Sequence, residues 1–378
     1  MSAEPFPAQP SAVEPSLAGA LPAGASPAVA SRAEASPAEP APAESADTAA
    51  DHLLDILGGK SRAQAVSTAA ALGIADRLAA GPRTAADLAR DLHCEPGALQ
   101  RLLQVLASLS LCEEQPGIGF ALTAHGQALR SDALGPLAAF LGAPEQWDPW
   151  SRLRDALAVG GGVAFERTHG TPLYEYLAHD EPASQRYDAA IDAFTRHEAR
   201  ALSRHVDFGD VTTVVDVGGG RGALLRDLLA RWPRLRGVLF DLPHVVERHG
   251  AELGAALGGR IDVVAGSFLE EVPAGADVYI LKRVLHNWSD EAARAILARC
   301  AAALREGGAI LVIDGILTPG GRADMTRLLD LEMLVLTGGR ERRKPELRRL
   351  FRDSGLVLER TVRLTHASHL MVCSARRG

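Results

Sequence analysis

The stretch Asp216-Val217-Gly218-Gly219-Gly220-Arg221-Gly222 decides the fold, because these glycines follow a short β-branched run, 212–217. Glycines permit a tight turn from a strand into a helix, and they let the backbone approach a ligand closely. Asp241 ends the next predicted strand about 20 residues later, where a carboxylate can accept both hydroxyls of a ribose. The pattern predicts a nucleoside cofactor bound by Asp216, Gly218, Gly220 and Asp241.

Strands and helices alternate through the rest of this region, which predicts a parallel sheet with helices on both faces. The predicted strands span 212–217, 235–241, 261–264, 277–282 and 309–314, and the predicted helices span 222–231, a segment from 243, and 290–304. No helical pattern separates the last two apolar runs, 357–364 and 369–374, so they predict an antiparallel hairpin that closes a seven-stranded sheet.

The glycines alone leave the cofactor open, because Gly218, Gly220 and Ala223 also fit the dinucleotide pattern of hydride-transfer enzymes. Two features favour S-adenosylmethionine. Asp216 stands directly before the glycines, where it can meet the amino group of that cofactor, and the terminal antiparallel hairpin is typical of methyltransferase sheets. A nicotinamide dehydrogenase remains an alternative.

A second cluster of polar residues, Leu281-Lys-Arg-Val-Leu-His286-Asn287-Trp-Ser-Asp290, follows the fourth predicted strand. Ligands of such sheets bind at the carboxyl ends of the strands, so His286 is predicted to be catalytic. Asp314 ends the fifth strand at the same edge, and Glu341 lies in a loop before the last helix. A carboxylate beside an imidazole fixes its tautomer and stabilises the imidazolium. A solvated loop charge is the alternative interpretation of Glu341.

The N-terminal half has another organisation. Residues 1–50 are rich in Ala and Pro and predict a disordered tail. Residues 51–150 predict three helical segments and a short hairpin, the order of a winged helix, with Thr84 and Glu95 at two helix starts. DNA binding is an alternative, but the candidate recognition helix, 95–109, has one basic residue, and the net charge of −7 disfavours nucleic acid.

Residues 151–208 are predicted to be helical and link this domain to the sheet, 209–378. Aromatic residues gather around this segment although only 4% of the chain is aromatic. They either pack in the core or line a pocket for a flat ligand, and they are Trp147, Trp150, Phe165, Tyr174, Tyr176 and Phe194.

Other classes of protein are disfavoured by what the sequence lacks. It has no apolar stretch of about 18 residues to span a membrane and no signal-peptide pattern at its start. Its four cysteines show no CxxC spacing, so we expect reduced thiols in the cytoplasm and no zinc site.

The chain resembles the bacterial small-molecule O-methyltransferases, a family that also has plant caffeate-type and polyketide-tailoring members. The resemblance covers about residues 50–376 and rests on five motifs in the same order, namely DVGGGRG at 216–222, FDLP at 240–243, LKRVLHNWSDE at 281–291, EGGAILVID at 306–314 and TGGRER at 337–342.

The resemblance implies a winged-helix domain that forms a homodimer and a Rossmann-like domain that binds S-adenosylmethionine. It implies His286 as the general base, with Asp314 and Glu341 beside it. It adds Leu242, Ser267, Phe268 and Lys282 to the cofactor site, and it places Trp147, Phe194 and Asn287 near the substrate. Ser267 stands where many relatives carry an Asp that contacts adenine, Asp314 is often Glu, and Asn287 is often Asp.

These observations predict a metal-independent enzyme that methylates a hydroxyl, expected to be phenolic, of a small aromatic secondary metabolite. Two further alternatives remain open. Some relatives bind S-adenosylmethionine yet catalyse hydroxylation or decarboxylation, and a winged-helix protein can be a DNA-binding regulator.

Overall fold

A computed structural model of the chain describes residues 46–320 and 324–376. The predicted tail, apart from its last five residues, lies outside this range. Residues 46–54 form the first turns of a helix, and the chain from Asp55 onward forms one compact unit.

The first domain has the predicted order of helices followed by a hairpin. Its elements are α1 Ala46–Ala71, α2 Ile74–Leu78, α3 Ala85–Leu92, α4 Pro96–Ser108, β1 Cys112–Gln115 and β2 Gly119–Leu122. Thr84 caps α3 by accepting a hydrogen bond from the Asp87 backbone N–H, and Glu95 caps α4. The Asp87 carboxylate in turn accepts a hydrogen bond from the Thr84 hydroxyl.

A series of helices follows, and the last four of them lie within 151–208, where the sequence predicted helices. They are α5 Gly135–Leu141, α6 Pro144–Trp147, α7 Leu153–Ala156, α8 Ala164–His169, α9 Leu173–His179 and α10 Glu181–Leu202. The longest of them, α10, begins at the cap Asp180, whose carboxylate accepts from the Ala183 N–H, and has Pro182 in its first turn.

The C-terminal region alternates strands and helices. Its elements are β3 Thr213–Val217, α11 Ala223–Arg231, β4 Arg236–Asp241, α12 Pro243–Ala256, β5 Ile261–Ala265, β6 Val278–Lys282, α13 Asp290–Ala303, β7 Ala309–Asp314, β8 Ile316–Leu317, α14 Met325–Leu336, β9 Arg342–Arg343, α15 Lys344–Asp353, β10 Leu356–Arg363 and β11 His369–Ala375.

Seven of these strands form one sheet in the order β10-β11-β7-β6-β3-β4-β5. The five strands from β7 to β5 are parallel, whereas β11 pairs antiparallel with both β7 and β10. The predicted mostly parallel sheet with an antiparallel terminal hairpin is therefore confirmed.

Both faces of the sheet are buried, which explains the near-continuous apolar runs in its strands. Along β6, Tyr279 and Leu281 pack into the core on one face, and Val278 and Ile280 pack into the core on the other. Helices cover both cores, so polar side chains that act on ligands are confined to the strand ends. The carboxyl ends of β3, β4, β6 and β7 carry Asp216, Asp241, Lys282 and Asp314.

Candidate active site

The glycine-rich turn between β3 and α11 takes the conformation that its residues allow. Gly218 and Gly220 have φ angles of 71° and 57°, in the left-handed region. The Gly218 N–H donates to the Phe240 carbonyl at 2.8 Å, which fixes the turn against β4. At Gly219 a Cβ atom would lie 2.7 Å from the Asp216 carboxyl, so glycine is required there for close packing.

Asp241 faces this turn from the end of β4. Its carboxylate accepts hydrogen bonds from the backbone N–H groups of Gly220 at 2.8 Å and Leu242 at 2.7 Å. Burial raises the pKa of Asp241, and these two backbone hydrogen bonds oppose the rise. Leu242 is 40% exposed beside it. The contacts hold the carboxylate at the edge of the sheet where the sequence predicted the ribose.

Asp216 is buried directly beneath the turn. Burial raises the pKa of its carboxyl to about 7, and the nearby Lys282 acts in the lowering direction. The Lys282 ammonium lies 3.5 Å from the Glu198 carboxylate of α10. Lys282 is thus placed between the cofactor edge and α10, consistent with its predicted position near the cofactor.

Phe268 and Ser267 border the same turn after β5. An added Cβ at Gly218 would lie 3.4 Å from the Phe268 ring, which stands edge-on to Trp288 with the ring centroids 5.7 Å apart. The Ser267 hydroxyl accepts from the Leu269 N–H at 3.2 Å. An acidic side chain, a glycine turn and an apolar ring at one edge of the sheet fit a nucleoside cofactor.

His286 lies in a 3₁₀ turn, Leu285–Asn287, directly after β6, and is 6% exposed. Its Nδ1 is 2.9 Å from Glu341 Oε1. An ionised carboxylate can only accept a hydrogen bond, so Nδ1 carries the proton and Nε2 remains an acceptor. This is the tautomer that a general base requires.

Asp314 is the second acid beside the imidazole. Its Oδ1 lies 3.8 Å from His286 Nδ1, beyond hydrogen-bond distance. The pKa of Asp314 is raised to about 6, chiefly by burial and also by the charge of Glu341, while His286 and Arg283 act in the lowering direction. The two predicted acids therefore differ, since Glu341 is bonded to the imidazole and Asp314 acts on it through charge.

The loop after α14 carries Glu341 into the site. The Arg340 N–H donates to the His286 carbonyl at 2.8 Å, and the buried Arg342 guanidinium donates to the Leu285 and Trp288 carbonyls. At Gly339 an added Cβ would lie 2.2 Å from the His286 carbonyl oxygen. Glu341 is only 2% exposed, so the interpretation of Glu341 as a solvated loop charge is wrong.

The three predicted substrate residues fall in two places. The Arg283 guanidinium lies over the Phe194 ring, with its Cζ 4.8 Å from the ring centroid. The Asn287 amide donates to the Arg283 carbonyl at 3.1 Å. Both are therefore close to His286 in the fold. Trp147 lines an open cleft of about 420 Å³ whose other lining residues are Lys60, Ser61, Gln64, Ala65 and Thr68 of α1.

Some of the other aromatic residues pack with one another. Phe165 is fully buried, 4.5 Å from the His169 ring and 5.6 Å from the Tyr176 ring. Tyr174 meets Tyr187 edge-on at 6.5 Å. Core packing accounts for Phe165 and Tyr176.

Sequence analysis missed two charged residues, Arg283 and Glu198. Arg283 stands within the quoted cluster, yet no role was assigned to it, and its guanidinium donates to Glu198 Oε1 at 3.0 Å. Glu198 is fully buried on α10 near Thr195 and Leu202, which are buried as well. An acidic residue on the buried face of an amphipathic helix was the available signal.

All four cysteines are free, and Cys112, Cys300 and Cys373 are buried. Within residues 46–320 and 324–376, no group of three or more His, Cys, Asp or Glu side chains is arranged to hold a metal ion. No helix in that same part of the chain is long and apolar enough to cross a membrane.

Comparison with known proteins agrees with this geometry. The O-methyltransferase domain family matches residues 150–357, and the O-methyltransferase dimerisation domain matches residues 54–132. The chain therefore belongs to the S-adenosylmethionine-dependent O-methyltransferases.

Individual relatives span most of the chain. A 3-amino-4-hydroxybenzoate 4-O-methyltransferase of Streptomyces cremeus is 36% identical over 88% of this chain and 92% of its own length. An aclacinomycin 10-hydroxylase of Streptomyces purpurascens is 35% identical over 83% of this chain and 87% of its own length.

Solved structures show the same likeness. One is an O-methyltransferase of neocarzinostatin biosynthesis in complex with S-adenosylmethionine and 2-hydroxy-5-methyl naphthoic acid. It is 34% identical, with a TM-score of 0.65, and the match covers 83% of this chain and 95% of that one.

Proposed function

We propose that this enzyme methylates a phenolic hydroxyl of a small aromatic secondary metabolite, with His286 as the general base. The observation that carries the proposal is the pairing of His286 Nδ1 with Glu341 Oε1 at 2.9 Å, at the carboxyl edge of the sheet. It leaves Nε2 free to accept a proton from a hydroxyl in the site.

A base is needed because a free phenol has a pKa of about 10, so little of it is ionised at neutral pH. Bound S-adenosylmethionine supplies a positively charged methyl donor. His286 Nε2 takes the phenolic proton as the oxygen attacks, and Glu341 stabilises the resulting imidazolium. A positioned base contributes a factor of about 10²–10⁴ in rate.

The remaining site residues receive binding roles. Asp241 accepts from the ribose hydroxyls, Phe268 packs against the nucleoside, and Asp216 and Lys282 meet the amino-acid end of the cofactor. The backbone of Gly218 and Gly220 allows close approach, and Leu242 and Ser267 complete this edge.

The acceptor is proposed to lie between His286 and the neighbouring helices. Phe194 and Asn287 flank the base through Arg283, and Trp147 offers an aromatic face in the cleft with α1. The relatives support an aromatic acceptor, since one is named for an aminohydroxybenzoate and the solved structure contains a hydroxynaphthoic acid.

A homodimer is proposed for the assembly. The dimerisation domain matches residues 54–132, and within this range Ile56 and Leu57 of α1 are 58% and 62% exposed. Two adjacent large apolar side chains left in water favour burial against a second copy. Sedimentation of the wild type and of Ile56→Glu/Leu57→Glu tests this, and an unchanged dimer would remove α1 from the interface.

Compartment and domain limits are also proposals. Free buried cysteines suit the reducing cytoplasm. We retain a winged-helix dimerisation domain over 51–150, a linking and substrate region over 151–208 and a cofactor domain over 209–378.

The test is transfer of labelled methyl from S-adenosylmethionine to a panel of phenols that includes 3-amino-4-hydroxybenzoate and hydroxynaphthoates. Labelled product that is lost in His286→Ala, but kept in the exposed control His197→Ala, supports the proposal. Binding of S-adenosylhomocysteine, measured by calorimetry, should survive in both variants. Full turnover in His286→Ala would contradict the assignment of the base.

The same experiment separates the alternatives. Because one relative is named a hydroxylase, product masses are measured alongside the label. A product heavier by oxygen, without label, would identify a non-methylating reaction. Binding of NADH or of duplex DNA, with no affinity for S-adenosylhomocysteine, would favour the dehydrogenase or the regulator.

A further inference from the structure

Arg283 has an unusual backbone for a large side chain. Its φ angle is 58°, in the left-handed region that disfavours residues with a Cβ atom. Its N–H donates to the Ile313 carbonyl of β7 at 2.9 Å, and its carbonyl accepts from Asn287. A strained conformation persists where the surrounding structure imposes it, and such residues cluster at functional sites.

The strained backbone sends a guanidinium into the core, where the Arg283 side chain is 12% exposed. Nη2 donates to Glu198 Oε1 at 3.0 Å and to the Ala367 carbonyl at 3.1 Å, and the Phe194 ring covers one face. Two elements therefore fix the position of this cation, namely α10, through Glu198 and the Phe194 ring, and the turn before β11, through the Ala367 carbonyl.

The other end of the guanidinium faces the base. Arg283 Nη1 lies 3.9 Å from Glu341 Oε1, the same oxygen that accepts from His286 Nδ1. Asp314 is the second carboxylate here, and within the described chain neither of its oxygens accepts a hydrogen bond. Two buried carboxylates beside one imidazole repel each other, and the nearby cation offsets this repulsion.

The wider surroundings are charged as well. Arg342 is a further cation that lowers the pKa of Asp314, and Asp330 accepts from the Glu341 N–H at 2.8 Å. Behind Arg283, Glu198 also pairs with Lys282, the cofactor-edge cation. Although burial alone would raise the pKa of Glu198, Arg283 and Lys282 together lower it, so Glu198 remains an anion that anchors both cations.

We propose that Arg283 is a positioning residue for the catalytic base: its charge offsets the paired carboxylates of Asp314 and Glu341, and Glu198 holds it in place. This inference rests on the proposed function of His286. It assigns to Arg283 a role in the reaction that acts through Glu341 and Asp314.

The direct test is a pH titration of the Asp314 carboxyl. It is monitored by ¹³C NMR on protein labelled at the aspartate carboxyls, and the Asp314 signal is assigned from its absence in Asp314→Asn. In the wild type the pKa of Asp314 is raised to about 6, with Arg283 among the groups that lower it. In Arg283→Gln the midpoint should rise by about one pH unit or more. Arg283→Lys keeps the charge and should stay within about 0.3 units of the wild type.

Activity provides the second readout. With the panel phenol that gives the most product, the acid limb of the kcat profile should move to higher pH in Arg283→Gln, because Asp314 then loses its charge at a higher pH. In Arg283→Lys the acid limb should lie at the same pH as in the wild type. The control Arg360→Gln removes an exposed arginine of β10, which donates to the His205 carbonyl, and should move neither the titration nor the limb.

A double variant serves as the control in case Arg283→Gln does not fold. Should Arg283→Gln fail to fold, Glu198→Gln/Arg283→Gln removes both charges and leaves no unpaired Glu198 carboxylate. An upward shift smaller than that of Arg283→Gln is then expected, because the loss of the more distant Glu198 charge acts in the opposite direction. An Asp314 midpoint that does not move in these variants overturns the proposal. A normal rate in His286→Ala overturns the proposed base instead, so the two failures are distinguishable.

Discussion

His286 Nδ1 donates to Glu341 Oε1 across 2.9 Å, although the two residues lie 55 positions apart in the sequence. The sheet places His286 at the end of β6, and the loop after α14 brings Glu341 to it. Asp314, at the end of the neighbouring strand β7, comes no closer to that nitrogen than 3.8 Å. Glu341 is therefore expected to contribute more to the rate than Asp314, and the kinetics of single variants can measure the difference.

Glu341→Gln should reduce kcat by about 10²–10⁴-fold, because an amide N–H facing Nδ1 favours the tautomer whose Nε2 carries the proton. Asp314→Asn should reduce it by only about tenfold, since no hydrogen bond to the imidazole is lost. Methyl-transfer kinetics of both variants check this, with calorimetry of S-adenosylhomocysteine to show intact binding. A greater loss in Asp314→Asn than in Glu341→Gln would reverse the assignment.

Asp241→Asn should weaken S-adenosylhomocysteine binding by about 10–100-fold, because hydrogen bonds to a charged acceptor are worth about 1.5–3 kcal/mol. Calorimetry on the folded variant measures this directly. Asp262→Asn is the matched control, since Asp262 is an exposed residue of β5 that pairs with Arg236. Equal affinity in Asp241→Asn and the wild type would remove Asp241 from the cofactor site.

Ser267→Asp should increase the affinity for S-adenosylhomocysteine by about 3–10-fold, which corresponds to roughly 0.6–1.4 kcal/mol. The reason is that a carboxylate accepts hydrogen bonds more strongly than a hydroxyl, and Ser267 borders the glycine turn. Ser267→Ala is the comparison, and it should bind slightly more weakly than the wild type. If Ser267→Asp weakened binding, the side chain would not face the adenine.

The sequence allowed the sheet to be predicted because its signals are local. Apolar runs in β3, β6 and β7 show which segments are buried on both faces, and the glycines mark the turn that follows β3. Asp241, His286 and Asp314 could then be assigned to one edge, since the carboxyl ends of parallel strands lie together. These assignments needed no long-range contact.

The charge network could not be predicted in the same way. Arg283 bonds to Glu198 and to the Ala367 carbonyl, which lie 85 and 84 positions from it. The burial of Glu341 could not be predicted either. Four charged residues stand in a row at 340–343, and their order gives no indication of which side chains turn into the core. Glu341 and Arg342 are both 2% exposed, whereas Arg340 and Arg343 face water.

Arg342→Met should destabilise the protein by about 2–4 kcal/mol, because it leaves two carbonyls that flank His286, one buried and one partly buried, without their charged donor. The guanidinium donates to the Leu285 carbonyl at 2.8 Å and to the Trp288 carbonyl at 2.6 Å, and it also pairs with Asp290. Urea unfolding measures the loss. The control Arg352→Met removes an exposed arginine that pairs with its neighbour Asp353, and it should change stability by less than about 1 kcal/mol.

Stability should depend on pH through a buried acid outside the catalytic cluster. Glu332 of α14 accepts a hydrogen bond from the buried Gln146 amide, and burial raises its pKa to about 7. A carboxyl with a raised pKa in the folded state favours folding when protonated. Its contribution is complete below the unfolded value of about 4.3 and is lost as the pH rises through about 7.

Glu332→Gln should therefore stabilise the protein at pH 8, by on the order of 2–3 kcal/mol, and have much less effect at pH 5. Urea unfolding at the two pH values checks the sign. Glu346→Gln is the opposite control, because hydrogen bonds from the Arg343 backbone and from Arg340 lower the pKa of Glu346. That variant should lose stability at pH 8, where the Glu346 carboxylate is fully charged, and lose less as the pH falls. If Glu332→Gln instead lost stability at pH 8, Glu332 would be an ion-paired carboxylate in solution. Its principal contact would then be a cation and not the Gln146 amide.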